Sequence, residues 1–284
     1  MKQTYILLLF FSFTLVSQAQ HKSPYKIFTA RGAKTSYGKM LKQLEKTDVV
    51  LFGELHNNPI CHWLSLSLIE DIHKGKEVQV ATEVFEAKTQ PVIDAYLEDK
   101  LTIEGLESSI SLWENYKTDY KPLLNYAQKH QIPFIATNTA KDISSLVFHE
   151  GFDPILDLVE EEKMYLPRLP IPFDESLPQY QKILTMSGDH GTLNTIKAQA
   201  LKDATMAHFI DQNSRSGNLI FHINGSYHSE YKEGINWYLN RYNPYIDIIN
   251  ITTIEQDSID KLDKEHYGKA DFIICVSSKM TKSY

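Results

Sequence analysis

Cysteine is scarce: the chain of 284 residues has two, Cys61 and Cys275. Two thiols cannot make a disulfide scaffold. Cys275 sits inside Phe272-Ile273-Ile274-Cys275-Val276, the setting of a small buried hydrophobe. Cys61 lies five residues after His56, yet a single thiol near one histidine is not a metal site. Basic charge is also in deficit, with 29 Lys and Arg against 36 Asp and Glu and a formal net charge of −7. That balance argues against nucleic acid and against an electrostatic hold on anionic lipid. Glu160-Glu161-Glu162 is too short for an acidic tail and reads as a solvated helix face. HExxH, Walker A and GxSxG patterns are absent, and no GxGxxG follows a strand. Dinucleotide and P-loop chemistry are therefore not expected. No internal repeat or low-complexity segment appears.

No apolar run reaches the roughly 20 residues that a bilayer-spanning helix needs. The N-terminus nevertheless carries a shorter one. Lys2 precedes an apolar stretch from Tyr5 to Val16, and Ser17-Gln18-Ala19 offers small residues for signal peptidase. The expectation is a signal peptide over 1–19 and a mature domain over 20–284, with an N-terminal anchor helix as the alternative. Neither cysteine lies near that cleavage point, so a lipoprotein anchor is not expected. The protein should be exported, and periplasmic or associated with the outer membrane.

Beyond residue 48 the pattern alternates strand and helix. Strands are expected at Val49–Glu54, Val78–Phe85, Ile132–Thr137, Asn218–Asn224, Tyr245–Thr252 and Ala270–Val276. Helices are expected from Pro59 to about Lys74, over 88–99, 104–116, 119–129 and 193–213, and near 232–240. Five prolines between Pro154 and Pro178 mark a region of short helical pieces. This is an α/β protein with a mostly parallel central sheet flanked by helices. Residues of about 152–192 read as a small helical insertion over the sheet's carboxyl edge, because loops of that length are uncommon unless functional.

Two Gly-x-x-His tetrapeptides each follow a strand: Gly53-Glu54-Leu55-His56 and Gly225-Ser226-Tyr227-His228. A third strand ends in Glu83. If these strands are parallel neighbours, two imidazoles and two carboxylates meet at the carboxyl edge, where open α/β sheets bind ligands. Glu54 and His56, two apart on extended chain, point to one side. His62 is either part of the site or a helix-surface histidine. Gln199, Asp203 and Met206 share a helix face, and the small residues around Asp203 favour an inward carboxylate. Glu54, His56, Glu83, Asp203 and His228 make an N/O ligand set for a divalent metal. They suit equally a metal-free site in which a carboxylate orients a histidine base.

These stretches also carry a family resemblance. Phe52-Gly53-Glu54-Leu55-His56 with His62, Thr82-Glu83-Val84-Phe85, Ala198-Gln199 through Asp203 to Met206-Ala207, and Asn224-Gly225-Ser226-Tyr227-His228 with Gly234-Ile235 occur in order. Trp113, Tyr120-Lys121-Pro122-Leu123-Leu124 and Ile132 to Asn138 fit the middle. The chain resembles the ChaN-like haem-binding uptake family, a branch of the Tiki and erythromycin-esterase-like superfamily, from about residue 48 to 240. The resemblance implies an α/β core with a small helical subdomain, a role in haem or iron acquisition, a haem or iron ligand, outer-membrane uptake machinery as a partner, and a homodimer. Related branches use paired Gly-x-x-His motifs and a glutamate for metal-dependent hydrolysis, which brings Glu54, His56, Glu83 and His228 across as matched positions.

Haem asks for an apolar slot and an axial His, Tyr, Met or Cys. The insertion offers His190 first, in a Gly-flanked turn, then Tyr165 and Tyr180, with Met186 also present among Leu166, Leu169, Ile171, Phe173 and Leu184. The alternative is an amphipathic cap whose aromatics only pack. Arg168, Lys163 and Lys182 are the cations nearby for the propionates. Three functions follow: an exported haem- or iron-binding protein, a metal-dependent hydrolase using Glu54, His56, Glu83 and His228, or a binding scaffold without chemistry. The last leaves the polar edge unexplained.

Overall fold

A computed structural model describes residues 23–188, 191–214 and 217–284. The N-terminal segment over 1–19 and the candidate ligand His190 lie outside the described residues. The architecture follows from strands apolar on both faces. Val49–Glu54 (β3), Val78–Glu86 (β4) and Leu219–Gly225 (β6) are buried almost throughout, as parallel strands covered on both sides must be. With Tyr25–Thr29 (β1), Lys34–Thr35 (β2), Phe134–Asn138 (β5), Ile248–Gln256 (β7) and Phe272–Ser277 (β8), they form one eight-stranded sheet. Its order is β2-β1-β8-β7-β3-β6-β4-β5. The run from β8 to β5 is parallel, and only the β1–β2 edge is antiparallel.

Parity along the strands sorts the two cores. Val50 and Phe52 face Tyr37–Leu44 (α1), Pro59–His73 (α2), Gln90–Leu97 (α3), Ile103–Ser109 (α4) and Lys121–His130 (α5). Val49 and Leu51 face the layer of Lys141–Glu150 (α6), Leu193–Asn213 (α9) and Ile235–Tyr242 (α10). α2 starts where the sequence places it: Asn58 accepts from the Ile60 amide at 3.1 Å and Pro59 takes the first turn. The helix expected over 104–116 stops at Ser109. The chain then runs irregularly into one wide π-type turn at Tyr116–Tyr120 before α5. Such turns concentrate at functional sites, and this one delivers Tyr120 to Glu54.

Between Gly151 and Gly191 the chain makes short pieces, including Glu160–Lys163 (α7) and Pro178–Met186 (α8). Ile155, Leu166 and Ile171 are buried with α9, while Ile183 and Met186 of α8 reach the sheet's carboxyl edge. Glu160, Glu161 and Glu162 are solvent-exposed. Both cysteines are buried and free. The Cys61 thiol donates to the Asn58 carbonyl at 2.9 Å, and burial raises its pKa well above the ordinary thiol value. It is a packing residue, not a ligand. No helix among the described residues is long and apolar enough to cross a membrane.

Candidate functional site

The two Gly-x-x-His strands are immediate neighbours. β3 pairs with β6 so that Gly53 lies opposite Asn224 and Glu54 opposite Gly225, and β4 flanks β6 on its other side. Glu54, His56, Glu83, Asp203 and His228 are therefore all brought to one edge. They do not form one ligand shell. Glu54 has the parity of Val50 and Phe52 and belongs to the α2 face; Glu83 has the parity of Ala81 and belongs to the α9 face. The result is two hydrogen-bonded groups back to back.

On the α2 side, His56 Nδ1 lies 3.0 Å from Glu54 Oε1 and His62 Nδ1 lies 3.2 Å from Glu54 Oε2. The Tyr120 hydroxyl donates to the same carboxylate. His62 is buried, with Nε2 3.0 Å from the His56 carbonyl and 3.5 Å from Asp119. Asn115 donates to that carbonyl at 2.8 Å, and Trp113 meets the His56 ring edge-on at 4.8 Å. Burial alone would raise the pKa of Glu54; His62 and His56 outweigh it and bring it down to about 2.

On the α9 side, His228 bridges two buried carboxylates. Nε2 lies 3.2 Å from Glu83 Oε1 and Nδ1 lies 2.5 Å from Asp203 Oδ1. Tyr180 donates to the other Asp203 oxygen at 2.9 Å, and the Gly225 amide donates to Glu83 Oε2 at 2.8 Å. The Gln199 amide stands 2.9 Å from Nδ1. Burial lowers the pKa of His228, but Glu83 and Asp203 reverse this and lift it to about 10. His228 is thus an imidazolium at neutral pH. Burial is likewise the largest effect on both carboxylates: it holds Asp203 above the usual range, while in Glu83 the His228 charge overrides it and leaves the group below that range.

The histidines of the two motifs are consequently engaged differently, although in His56 as well burial is outweighed by Glu54 and Glu83 and the pKa is raised. Both nitrogens of His228 are engaged, so it has no lone pair for a metal and no capacity as a base. His56 keeps Nε2 uncommitted, with its side chain 37 % exposed. A Cβ at Gly225 would stand 2.8 Å from that nitrogen, which is why glycine occupies the second motif's first position. Among the described residues no group of three or more His, Cys, Asp or Glu is disposed to hold a metal ion. The five residues expected as a metal set therefore meet at one edge with each motif imidazole against a carboxylate.

The haem-ligand candidates separate as well. Tyr180 is buried and spends its hydroxyl on Asp203, so it supports the His228 group and cannot reach a ligand. Tyr165 lines a different cleft with Lys88, Asp142 and Glu161, and Lys163 and Arg168 line another with His208. A cavity of about 570 Å³ opens directly over His56 and His228. Its apolar walls are Leu55, Ile183, Met186 and Tyr227, and Tyr284 stands at its side. Lys182 lies 5.3 Å from the Tyr227 ring centre. Tyr227 and Tyr120 stand in the motif stretches of the sequence but carry no expected site role there, since one tyrosine among 16 is a weak signal by itself.

The paired groups imply a defined pH profile. Glu54 and Glu83 have lowered pKa values, so their contribution is present above the ordinary 4.5 and is lost as pH falls towards 2. His228 is raised, so its contribution is complete below 6.5 and is lost as pH climbs through about 10. Urea unfolding across pH should show a maximum near pH 5–6 and a decline on both sides. A stability that stays flat from pH 7 to 10 would contradict the imidazolium.

Comparison with known proteins places this arrangement. A solved structure showing cofacial haem binding to ChaN of Campylobacter jejuni superposes with a TM-score of 0.66 at 16 % identity, covering 88 % of this chain and 96 % of that one. At that identity the likeness establishes the fold. The RRSP effector domain of a Vibrio vulnificus MARTX toxin gives a TM-score of 0.48 at 13 % identity, over 83 % of this chain and 37 % of that one. Among curated proteins, the chloroplastic RETICULATA-RELATED 5 of Arabidopsis thaliana is 24 % identical over 210 residues, or 67 % of this chain. The chain spans only 28 % of that plant protein's length. The model of the family described as haem-binding uptake, Tiki superfamily, ChaN matches residues 40–239, well over half the chain, and contains both Gly-x-x-His motifs, Glu83 and Asp203. The chain belongs to this ChaN haem-binding uptake family of the Tiki superfamily.

Proposed function

We propose that the protein binds haem in the cavity over His56 and serves haem or iron acquisition. The observation that carries this is the cavity itself: an apolar slot at the carboxyl edge, of ordinary cofactor-site size, with an imidazole nitrogen left uncommitted in its wall. The residues fit the group. His56 and Tyr227 would hold the iron, both being recognised axial ligand types. Glu54, holding His56 Nδ1, would fix its tautomer and raise its basicity. Lys182 is the cation placed for a propionate. When bound, haem supplies iron as cargo. His190, outside the described residues, stays a candidate axial ligand. Export to the periplasm or outer membrane, delivery to uptake machinery and a homodimeric state belong to the same proposal, supported by the leader-like first 19 residues and by family membership.

Titration of the purified protein with haemin tests it. Stoichiometric binding with a shifted Soret band is expected, and Tyr227→Phe and His56→Ala should each move the band. Glu54→Gln should weaken binding about 10- to 100-fold, as removal of a partner behind a ligand does. No spectral change at stoichiometric haemin would end this reading.

A second reading rests on the Glu54–His56 dyad facing the fixed His228 cation across Gly225. That is the arrangement of a carboxylate-oriented general base; His228, with both nitrogens on carboxylates, has no free donor for developing negative charge. The dyad supports hydrolysis without a metal better than the metal-dependent form, since His56 Nε2 is the one nitrogen of the two motif histidines without a hydrogen-bond partner among the described residues. Ester hydrolysis that survives chelator and disappears in His56→Ala would favour it. Hydrolysis abolished by chelator and restored by a divalent metal would favour the metal-dependent form.

A further inference from the structure

A second cleft, of about 650 Å³, opens at the carboxyl ends of β4 and β5. It shares only Gln199 with the lining of the cavity over His56. Its chemistry is different. Two of its wall residues are flat aromatics, the half-buried Trp113 and the exposed Phe148. The lining also carries small hydroxyl side chains, Ser111, Ser144 and Ser145.

The charges in this cleft do not cancel. Both acidic residues in the lining already have partners: Glu83 holds His228 at 3.2 Å, and Glu86 holds Lys88 at 3.2 Å and accepts from the Lys141 amide at 3.0 Å. The two cations, Lys141 and Lys202, have no carboxylate within 4.0 Å among the described residues. Asn138, on the same wall, has a buried Oδ1 that receives no hydrogen bond there. An acceptor of this kind needs an explanation in a native fold, and the soft terminal torsion of asparagine lets it turn to a donor. A net-acidic protein has therefore set two unpaired lysines, hydroxyls and an acceptor short of a donor in one cleft with two aromatic side chains.

We infer that this cleft is a second binding site, for a small anionic polyol such as a sugar acid or sugar phosphate. The lysines take the anion, Asn138 and the serines exchange hydrogen bonds with the hydroxyls, and Trp113 and Phe148 pack against the apolar face of the ring. A wholly apolar planar ligand would leave the lysines and Asn138 without purpose. Trp113 also touches the His56 ring, so an occupant lies one side chain away from the first cavity. The inference stands apart from the haem reading and does not depend on it.

Isothermal titration calorimetry of the intact protein with four probes tests it: glucuronate, glucose 6-phosphate, glucose and inorganic phosphate. Saturable binding of at least one anionic sugar is expected, at least about tenfold tighter than glucose or phosphate alone. The double variant Lys141→Gln/Lys202→Gln alters only surface side chains and should lose about tenfold or more in affinity, the equivalent of one charge-assisted contact. Which anionic sugar binds separates the carboxylate from the phosphate source. Binding of phosphate as tight as that of the sugar would reduce the cleft to an anion site and overturn the assignment. So would the absence of heat with both anionic sugars, or binding untouched by the double variant.

Discussion

His228→Ala is expected to lower the stability of the protein by about 3–5 kcal/mol, the range found when one partner of a buried ion pair is removed. The side chain is buried between Glu83 and Asp203, both also buried, and contributes the only full positive charge touching either of them among the described residues. Its loss leaves two carboxylates with Tyr180 and the Gly225 amide as their remaining donors. One carboxyl must then take up a proton, so the variant should gain stability on acidification where the wild type loses it. Equilibrium urea unfolding at pH 7 reads the cost, and the same measurement between pH 5 and pH 3, where the wild type loses stability, reads the effect of acidification. Tyr227→Phe, one residue away but largely at the surface, should stay within about 0.5 kcal/mol of wild type. A cost below about 1 kcal/mol for His228→Ala would mean that the imidazolium between two carboxylates is not what holds this edge together.

Much of this edge is legible from residue spacing, for physical reasons. Strand type is written in β3 and β6 because burial on both faces demands unbroken apolar runs, and glycine marks where each strand must turn. The inward carboxylate of Asp203 is signalled by its small neighbours on α9. What spacing does not reveal is which face each carboxylate serves. Glu54 and Glu83 end neighbouring strands with opposite parity relative to the sheet, and parity is fixed only once the strand order β3-β6-β4 is known. Five polar residues therefore read as one metal shell and fold as two back-to-back groups. The same limit governs partners. Tyr120 reaches Glu54 through an irregular stretch that no helical period could foresee, and Tyr180 looks like a ligand until its hydroxyl is seen to end on Asp203.

Local propensity was also overridden in places. α6 carries Ile143, Ser144, Ser145 and Val147, none a strong helix former, and its sequence does not announce a helix. It forms because Ile143 and Val147 bury against α9. The antiparallel edge of β1 and β2 is short and only partly buried, so it has neither the clean alternation nor the continuous apolar run that announces a strand.

Gly234→Ala should come close to His228→Ala in cost while removing no interaction at all. Gly234 has φ +54° and ψ −118°, a conformation hostile to any side chain. A Cβ there would stand 2.3 Å from the His228 carbonyl oxygen and 3.2 Å from Asp203 Oδ2. The nearer atom is backbone, so no rotamer change relieves the clash. Strain in such a region costs about 1–3 kcal/mol, and overpacking adds about 1–3 kcal/mol more. Relief requires the His228 backbone to retreat, and the histidine cannot retreat without lengthening its contacts to Glu83 and Asp203. The variant should thus lose stability by roughly 3 kcal/mol or more and also lose part of the alkaline decline assigned to the imidazolium. An Ala exchange at Gly75, where a Cβ meets nothing within 4 Å, is the matched control and should be near neutral. If Gly234→Ala unfolds at the wild-type urea midpoint with the wild-type pH profile, the glycine does not seat His228, and the second motif owes its geometry to the strand end alone.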